Sequence, residues 1–266
     1  MSASVPFYKR GWFVGTVAVV GLVSGIWALV GAPTPWKLID DLLHPDLPSS
    51  NTEIVLDASA GMGDPFEGDQ TRFDAAVDAV GDFAAPFQNE GLALRSFGGA
   101  CGEQEDLLVD FGEDHGDDVR DVAGEQQPGG DSNLADAVIA AMDDFTGDEF
   151  PSDSTNRVVV FTGTVDDCRE DFGDAIRLQA EHTDVQAVFQ LVGVKASRKG
   201  HEELKLLKDE LSAIRSESGE GATVVAQLDF ADNAGEMEDV VDELTEQPIP
   251  PLPTGPTGEG GVLDGE

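Results

Sequence analysis

Glu53-Ile-Val-Leu-Asp57-Ala-Ser59-Ala-Gly61 is the stretch from which the order of the chain unfolds. Its aliphatic run ends in a carboxylate and a small-residue loop. Arg72 to Phe87 then places Phe73, Ala76, Val77, Val80, Phe83 and Ala84 at helical spacing, so the unit reads as strand, loop, helix. Leu92-Ala-Leu-Arg-Ser-Phe97 and Leu107-Leu-Val-Asp-Phe111 read as two further strands. The glycines and Cys101 between them leave a turn too short for a crossover helix, which predicts antiparallel pairing. Asn133 to Phe145 carries Leu134, Ala137, Val138, Ala141 and Met142 on one face, a helix starting at the turn Pro128-Gly-Gly-Asp-Ser132. Arg157-Val-Val-Val-Phe161 is the most strand-like run of all. After it come a helix near Glu170 to His182, a strand at Val185 to Val192, a helix at Gly200 to Ser216, a strand at Ala222 to Leu228 and a helix at Asn233 to Leu244. Strands apolar on both faces that alternate with helices predict a mainly parallel sheet covered on each side. Sites in such a sheet lie at the carboxyl ends of its strands.

The flanks read differently. Trp12 to Val30 holds no charged residue, and about 20 apolar residues cross a bilayer. Residues 1–11, with Lys9 and Arg10, are expected on the cytoplasmic side, residues 12–31 as a transmembrane helix, and everything after Ala32 outside. A cleaved signal peptide is the competing reading, since Val30-Gly31-Ala32 resembles a cleavage site, although the apolar stretch exceeds the usual core of roughly 7 to 15 residues. Residues 32–50, with Pro33, Pro35, Pro45 and Pro48, read as a stiff stalk. The domain is expected over 51–246. Residues 247–266, rich in Pro and Gly, bury too little apolar surface to fold alone and are expected to be disordered. The chain has 266 residues with 53 Asp and Glu against 15 Lys and Arg, a formal net charge of −38, which argues against nucleic acid or anionic lipid headgroups as partners.

Three strand ends carry the chemistry: Asp57-Ala-Ser59-Ala-Gly61, Gly130-Asp-Ser132-Asn-Leu134 and Phe161-Thr-Gly163-Thr. Their order and spacing resemble the von Willebrand factor A family, whose members show D-x-S-x-S, a Gly-x-Thr loop and a Thr-Asp-Gly turn at these places. The likeness spans nearly all of Asn51 to Leu244. It implies an α/β, Rossmann-like three-layer fold with one antiparallel edge strand and helices on both faces. It also implies a divalent cation, Mg2+ or Mn2+, whose open position an acidic group of a protein partner completes. Carried over by position, Asp57 supplies the carboxylate, Ser59 the first hydroxyl and Ser132 the loop hydroxyl. Gly61 stands where the family has its second serine, and Gly163 where it has aspartate. The expected site is therefore degenerate, with Asp131 or Asp166 as possible substitutes, and weak, because a hard cation wants carboxylate, hydroxyl and water oxygens in an octahedral shell. Two alternatives stay open: Asp57 and Ser59 simply satisfying loop amides, and a surface at the same strand ends that binds without metal.

Cys101 and Cys168 are the only cysteines, and both fall in the exported part. Their even count favours a disulfide, with two free thiols as the alternative. A hydrolase reading would take Ser59 as nucleophile with His115, His182 or His201 as base, but the glycine that begins a G-x-S-x-G elbow is missing. The expectation is a non-enzymatic module for protein binding, held at the membrane with its domain outside the cell. An accessory subunit that assembles a membrane complex is the second reading.

Overall fold

The computed structural model describes residues 50–246, apart from 88, 103–106, 147–149, 151–153, 170–171, 183–184 and 215–222. The expected cytoplasmic segment over 1–11, the membrane helix over 12–31, the stalk over 32–50 apart from Ser50, and the tail over 247–266 lie outside the described residues, among which no helix is long and apolar enough to cross a membrane.

The strands are β1 (Ser50–Asp57), β2 (Pro65–Glu67), β3 (Gln70–Thr71), β4 (Gly91–Phe97), β5 (Leu107–Gly112), β6 (Thr155–Thr162), β7 (Gln186–Val194) and β8 (Thr223–Ala231). Between and after them lie α1 (Arg72–Ala84), α2 (Gly116–Glu125), α3 (Leu134–Asp144), α4 (Phe172–His182), α5 (Arg198–Ala213) and α6 (Ala234–Glu246). Six strands form the main sheet in the order β5-β4-β1-β6-β7-β8, and β2 with β3 makes a small antiparallel hairpin. Every pairing in the main sheet is parallel except β4 with β5. The antiparallel edge and the parallel centre are as the sequence predicts.

Side chains alternate across a strand, so the apolar runs feed two cores at once. Ile54, Leu56, Val159 and Phe161 pack with Phe83 of α1 and Val241 of α6 on one face. Val55, Val158 and Val160 pack with Val138 of α3 and Leu204 of α5 on the other. Each such side chain contributes roughly 1.5–3 kcal/mol by leaving water, which is why the central strands carry no polar face.

α1 begins where it does because Thr71 and Asp74 form a capping box: the Thr71 hydroxyl accepts from the Asp74 amide at 3.1 Å, and the Asp74 carboxylate accepts from the Thr71 amide at 2.9 Å. A hydrogen bond from the Thr71 hydroxyl at 2.7 Å, together with that from the Thr71 amide, holds the Asp74 carboxyl below its ordinary range. The helix stops at Ala84, three residues before the predicted end, as Pro86 lacks the amide that another turn needs. α2 had no helical signature: only Val119 and Ala123 are buried, one turn apart, and Asp117 and Asp118 in its first turn favour the helix by facing the positive end of its dipole.

Two arginines enter the sheet. Arg95 gives its Nε–H to Glu53 at 2.7 Å and its Nη2 to Asp144, and burial pushes the Glu53 carboxyl up to about 8 against the opposing pull of Arg95. Arg157 lies 4.9 Å from the Phe83 ring centre and 4.8 Å from that of Phe87. It donates to the Thr52 hydroxyl at 3.0 Å and the Leu244 carbonyl at 3.2 Å, which bolts the end of α6 to the sheet.

Candidate functional site at the carboxyl ends of β1 and β6

Parallel register aligns Leu56 with Phe161, so the next residues, Asp57 and Thr162, emerge together at the sheet's carboxyl edge. Thr162 donates its hydroxyl to Asp57 Oδ2 at 2.6 Å, and Thr164 donates to the same oxygen at 2.6 Å. Asp57 Oδ1 accepts from the Ser59 amide at 2.8 Å. The carboxylate is fully buried, and burial raises its pKa against these hydrogen bonds. Ser59, also buried, donates from Oγ to Thr164 Oγ1 at 3.2 Å.

The loop containing Ser132 is stitched to this turn through its backbone. Gly129 donates to the Ala58 carbonyl at 2.7 Å, Ala60 donates to the Gly130 carbonyl at 3.0 Å, and Asp131 donates to the Gly99 carbonyl at 2.7 Å. So close an approach requires glycine. Gly130 has φ +72°, and a Cβ on it would meet Gly99 Cα at 2.4 Å; a Cβ on Gly98, at φ +135°, would meet the Ala58 backbone at 2.6 Å. Ser132 and Asp167 complete the convergence: the Asp167 amide donates to the Ser132 carbonyl at 2.8 Å, and the Ser132 amide to Asp167 Oδ2 at 3.3 Å. The Ser132 side-chain oxygen is buried and has no hydrogen-bond partner among the described residues. A disulfide joins Cys101 to Cys168, with Cα atoms 5.3 Å apart, and ties the β4–β5 turn to the loop after β6.

The two substitute carboxylates are placed otherwise. Asp166 accepts from the Ala135 amide at 2.7 Å and from the Cys168 and Arg169 amides at 2.8 and 2.7 Å, so it closes its own loop and caps the start of α3. Asp131 is exposed and faces Cys101, its Oδ2 lying 3.7 Å from the sulfur.

Three residues matter that motif spacing did not assign: Thr162, Thr164 and Arg72. A Cβ on Gly61 would lie 2.5 Å from Thr164 Cγ2, so the threonine methyl fills the place a second serine needs. A Cβ on Gly163 would meet the Val194 carbonyl at 2.4 Å, Arg72 Cδ at 3.0 Å and Met62 Sδ at 3.2 Å. Arg72 Nη1 donates to the Gly61 carbonyl at 3.2 Å. The only sequence signal for this exchange was the order Gly163-Thr164 in place of the family's Asp-Gly.

Tested against a divalent cation, the donors fall short. Among the described residues no three His, Cys, Asp or Glu side chains gather. Of the carboxylates at the convergence, Asp57 already accepts three hydrogen bonds and Asp167 accepts from the Ser132 amide, and a guanidinium stands at the rim. Two serine hydroxyls and waters do not make the shell of a tightly held hard ion.

Residues 52–165 match the family model described as the von Willebrand factor type A domain. Over those 114 of its 266 residues the chain is similar to that family. No curated protein sequence matches the chain. Among solved structures, an aerotolerance-related membrane protein of Bacteroides fragilis NCTC 9343, carrying multiple mutations to serines, superposes with a TM-score of 0.52 at 13% identity, over 74% of this chain and 100% of that one. The pilus adhesin SpaC of Lactobacillus rhamnosus GG gives a TM-score of 0.55 at 12% identity over 76% of this chain, which spans 30% of the adhesin. These likenesses establish a shared von Willebrand factor A fold.

Proposed function

We propose that this von Willebrand factor A domain is a non-catalytic protein-binding module, displayed outside the cell by an anchor at residues 12–31, whose strand-end rim recognises its partner without a tightly bound metal. The observation that carries this reading is the rim itself. Three segments converge on Asp57, their backbones are locked together, and the places where further oxygen ligands belong are filled by Thr164 and by the Val194 carbonyl with the Arg72 side chain beside it. A rigid rim lowers the ordering penalty of binding, the usual advantage of a preformed surface. Ser59 spends its hydroxyl on Thr164 rather than on a histidine, and His115 faces the Asp110 carbonyl at 2.9 Å, which supports a module over a hydrolase. The similarity to an adhesin and to a membrane protein is consistent with a binding or an assembly role.

A second reading keeps a weak Mg2+ or Mn2+ site. One feature favours it: the buried, unpartnered Ser132 hydroxyl, an oxygen donor that the protein itself leaves unused. Calorimetry of the full-length protein with magnesium and manganese separates the two. No heat at millimolar ion supports the metal-free rim, whereas binding that Asp57→Ala abolishes reinstates the cation. Cross-linking in solubilised membranes, with and without chelator, then tests the partner. Capture of a stoichiometric membrane neighbour indicates an assembly role, and capture that chelation abolishes overturns metal independence.

A further inference from the structure

α1 and α6 lie side by side on one face of the sheet, and between them runs a groove of about 410 Å³. Its floor is apolar, built from Phe66 of the β2–β3 hairpin, Ala79 of α1, and Met237 and Val241 of α6. The walls are acidic: Asp78 and Asp82 on α1, Glu238 and Asp242 on α6. Sequence explains the pattern, because each pair is spaced four residues apart and so stands one turn above the other on its helix.

All four carboxylates are exposed, and none takes part in an ion pair among the described residues. Asp78 accepts only a neutral bond, from Gln70 Nε2 at 2.9 Å. Like charges at i and i+4 oppose each helix, and the two rows face one another across the groove. Burial of a cationic partner relieves both repulsions.

We propose that this groove docks a basic amphipathic helix of a partner protein. An apolar floor selects leucine-like side chains at i, i+3 and i+4, and the two acidic walls select Lys or Arg on either side of that stripe. The groove follows α6 from Ala234 to Thr245, which at about 1.5 Å per residue accommodates roughly three helical turns. A second copy is disfavoured, because each chain carries a formal charge of −38. The proposal does not depend on how the strand-end rim is read, since none of its residues comes from the Asp57 cluster.

The test uses the full-length protein and a fluorescent 14-residue peptide of Leu and Lys with one apolar helical face. A scrambled peptide of the same composition and a Leu/Glu version serve as comparators. Fluorescence anisotropy is expected to rank the amphipathic Leu/Lys helix first. Asp82→Lys with Glu238→Lys is expected to weaken it by at least ~tenfold, about 1.4 kcal/mol. Asp121→Lys with Glu125→Lys on α2, the same change in net charge at exposed positions, is expected to alter it by less than ~twofold, because screening limits distant charges. Hydrogen exchange of the unmutated protein is expected to slow in α1 and α6 when the peptide is added, a readout that needs no variant to fold. Equal weakening by both charge reversals, equal binding of the scrambled peptide, or protection elsewhere in the domain overturns the proposal.

Discussion

Near the amino ends of β1 and β6, Arg157 is buried between Phe83 and Phe87 and satisfied by the Thr52 hydroxyl, the Leu244 carbonyl and, at 3.4 Å, the Glu90 carboxylate. At the carboxyl ends of the same strands Asp57 is equally buried, yet it is held by two threonine hydroxyls and one amide instead of a cation. One end uses a charge as a fastener, because a guanidinium with five donors can bind acceptors from several elements at once. The other holds a carboxylate with neutral groups of its own loops, and burial raises its pKa against them. Buried charge fastens several elements together at one end, whereas at the other it is enclosed by the loops of the rim proposed above to bind a partner.

The largest effect is expected from breaking the fastener. Arg157→Ala leaves a cavity against two phenylalanines and strips the Leu244 carbonyl of its donor, for an expected loss of about 3–5 kcal/mol in urea unfolding. Arg157→Lys keeps the charge but not the flat stacking surface, and recovers less than half of that. A smaller loss, roughly 2–4 kcal/mol, is expected when Cys101 and Cys168 are both replaced by serine, since the disulfide closes a sequence separation of 67 residues in the unfolded chain. Hydrogen exchange should place the loosening in the rim, around Gly98 and Asp167, with the Arg157 region unchanged. Loosening spread evenly through the sheet would contradict the division into two ends.

Next in size is a coupled pair. Gly61→Ser alone meets the Thr164 methyl 2.5 Å away and is expected to destabilise by about 1–3 kcal/mol. With Thr164→Ser, which keeps the hydroxyl on Asp57 and removes the methyl, most of that loss should vanish. Additive single effects in the double-mutant cycle would mean that the two side chains do not compete for one space.

The smallest effect, read at pH 5, concerns Glu53. Its carboxyl holds a proton up to about 8 against an ordinary value of 4.5, so between those limits the folded protein binds more protons than the unfolded chain. The associated stability is fully present below pH 4.5 and is lost as pH rises through 8. Glu53→Gln, which resembles the protonated form, is expected to be within about 1 kcal/mol of the parent at pH 5 and increasingly more stable than it as pH rises toward 8. A parent whose stability rises between pH 5 and 8 would show Arg95 to outweigh burial.

Much of the fold was legible in particular residues. Ile54, Val55 and Leu56, or Val158, Val159 and Val160, leave no polar face, and only a strand covered on both sides uses such a run. Antiparallel pairing of β4 and β5 followed from a turn too short to cross over. α2 escaped because a helix with two buried apolar residues leaves almost no period, and the β2–β3 hairpin because Pro65–Glu67 and Gln70–Thr71 are too short to alternate.

Of the site, the positions of Asp57, Ser59 and Ser132 came from local motifs, since a strand end and a glycine turn are short-range features. Their hydrogen-bonding partners did not. Thr162 and Thr164 lie more than a hundred residues from Asp57 in the chain and meet it only because parallel register aligns two strand ends. Arg72 reaches the Gly61 carbonyl only because α1 folds back over the turn that precedes it. Sequence alone determined which of the longer segments are strands, helices and polar turns, because periodicity and turn chemistry act within a few residues. Tertiary structure alone decided which atoms occupy the space around Asp57, because packing and hydrogen bonding depend on distances that no linear spacing encodes.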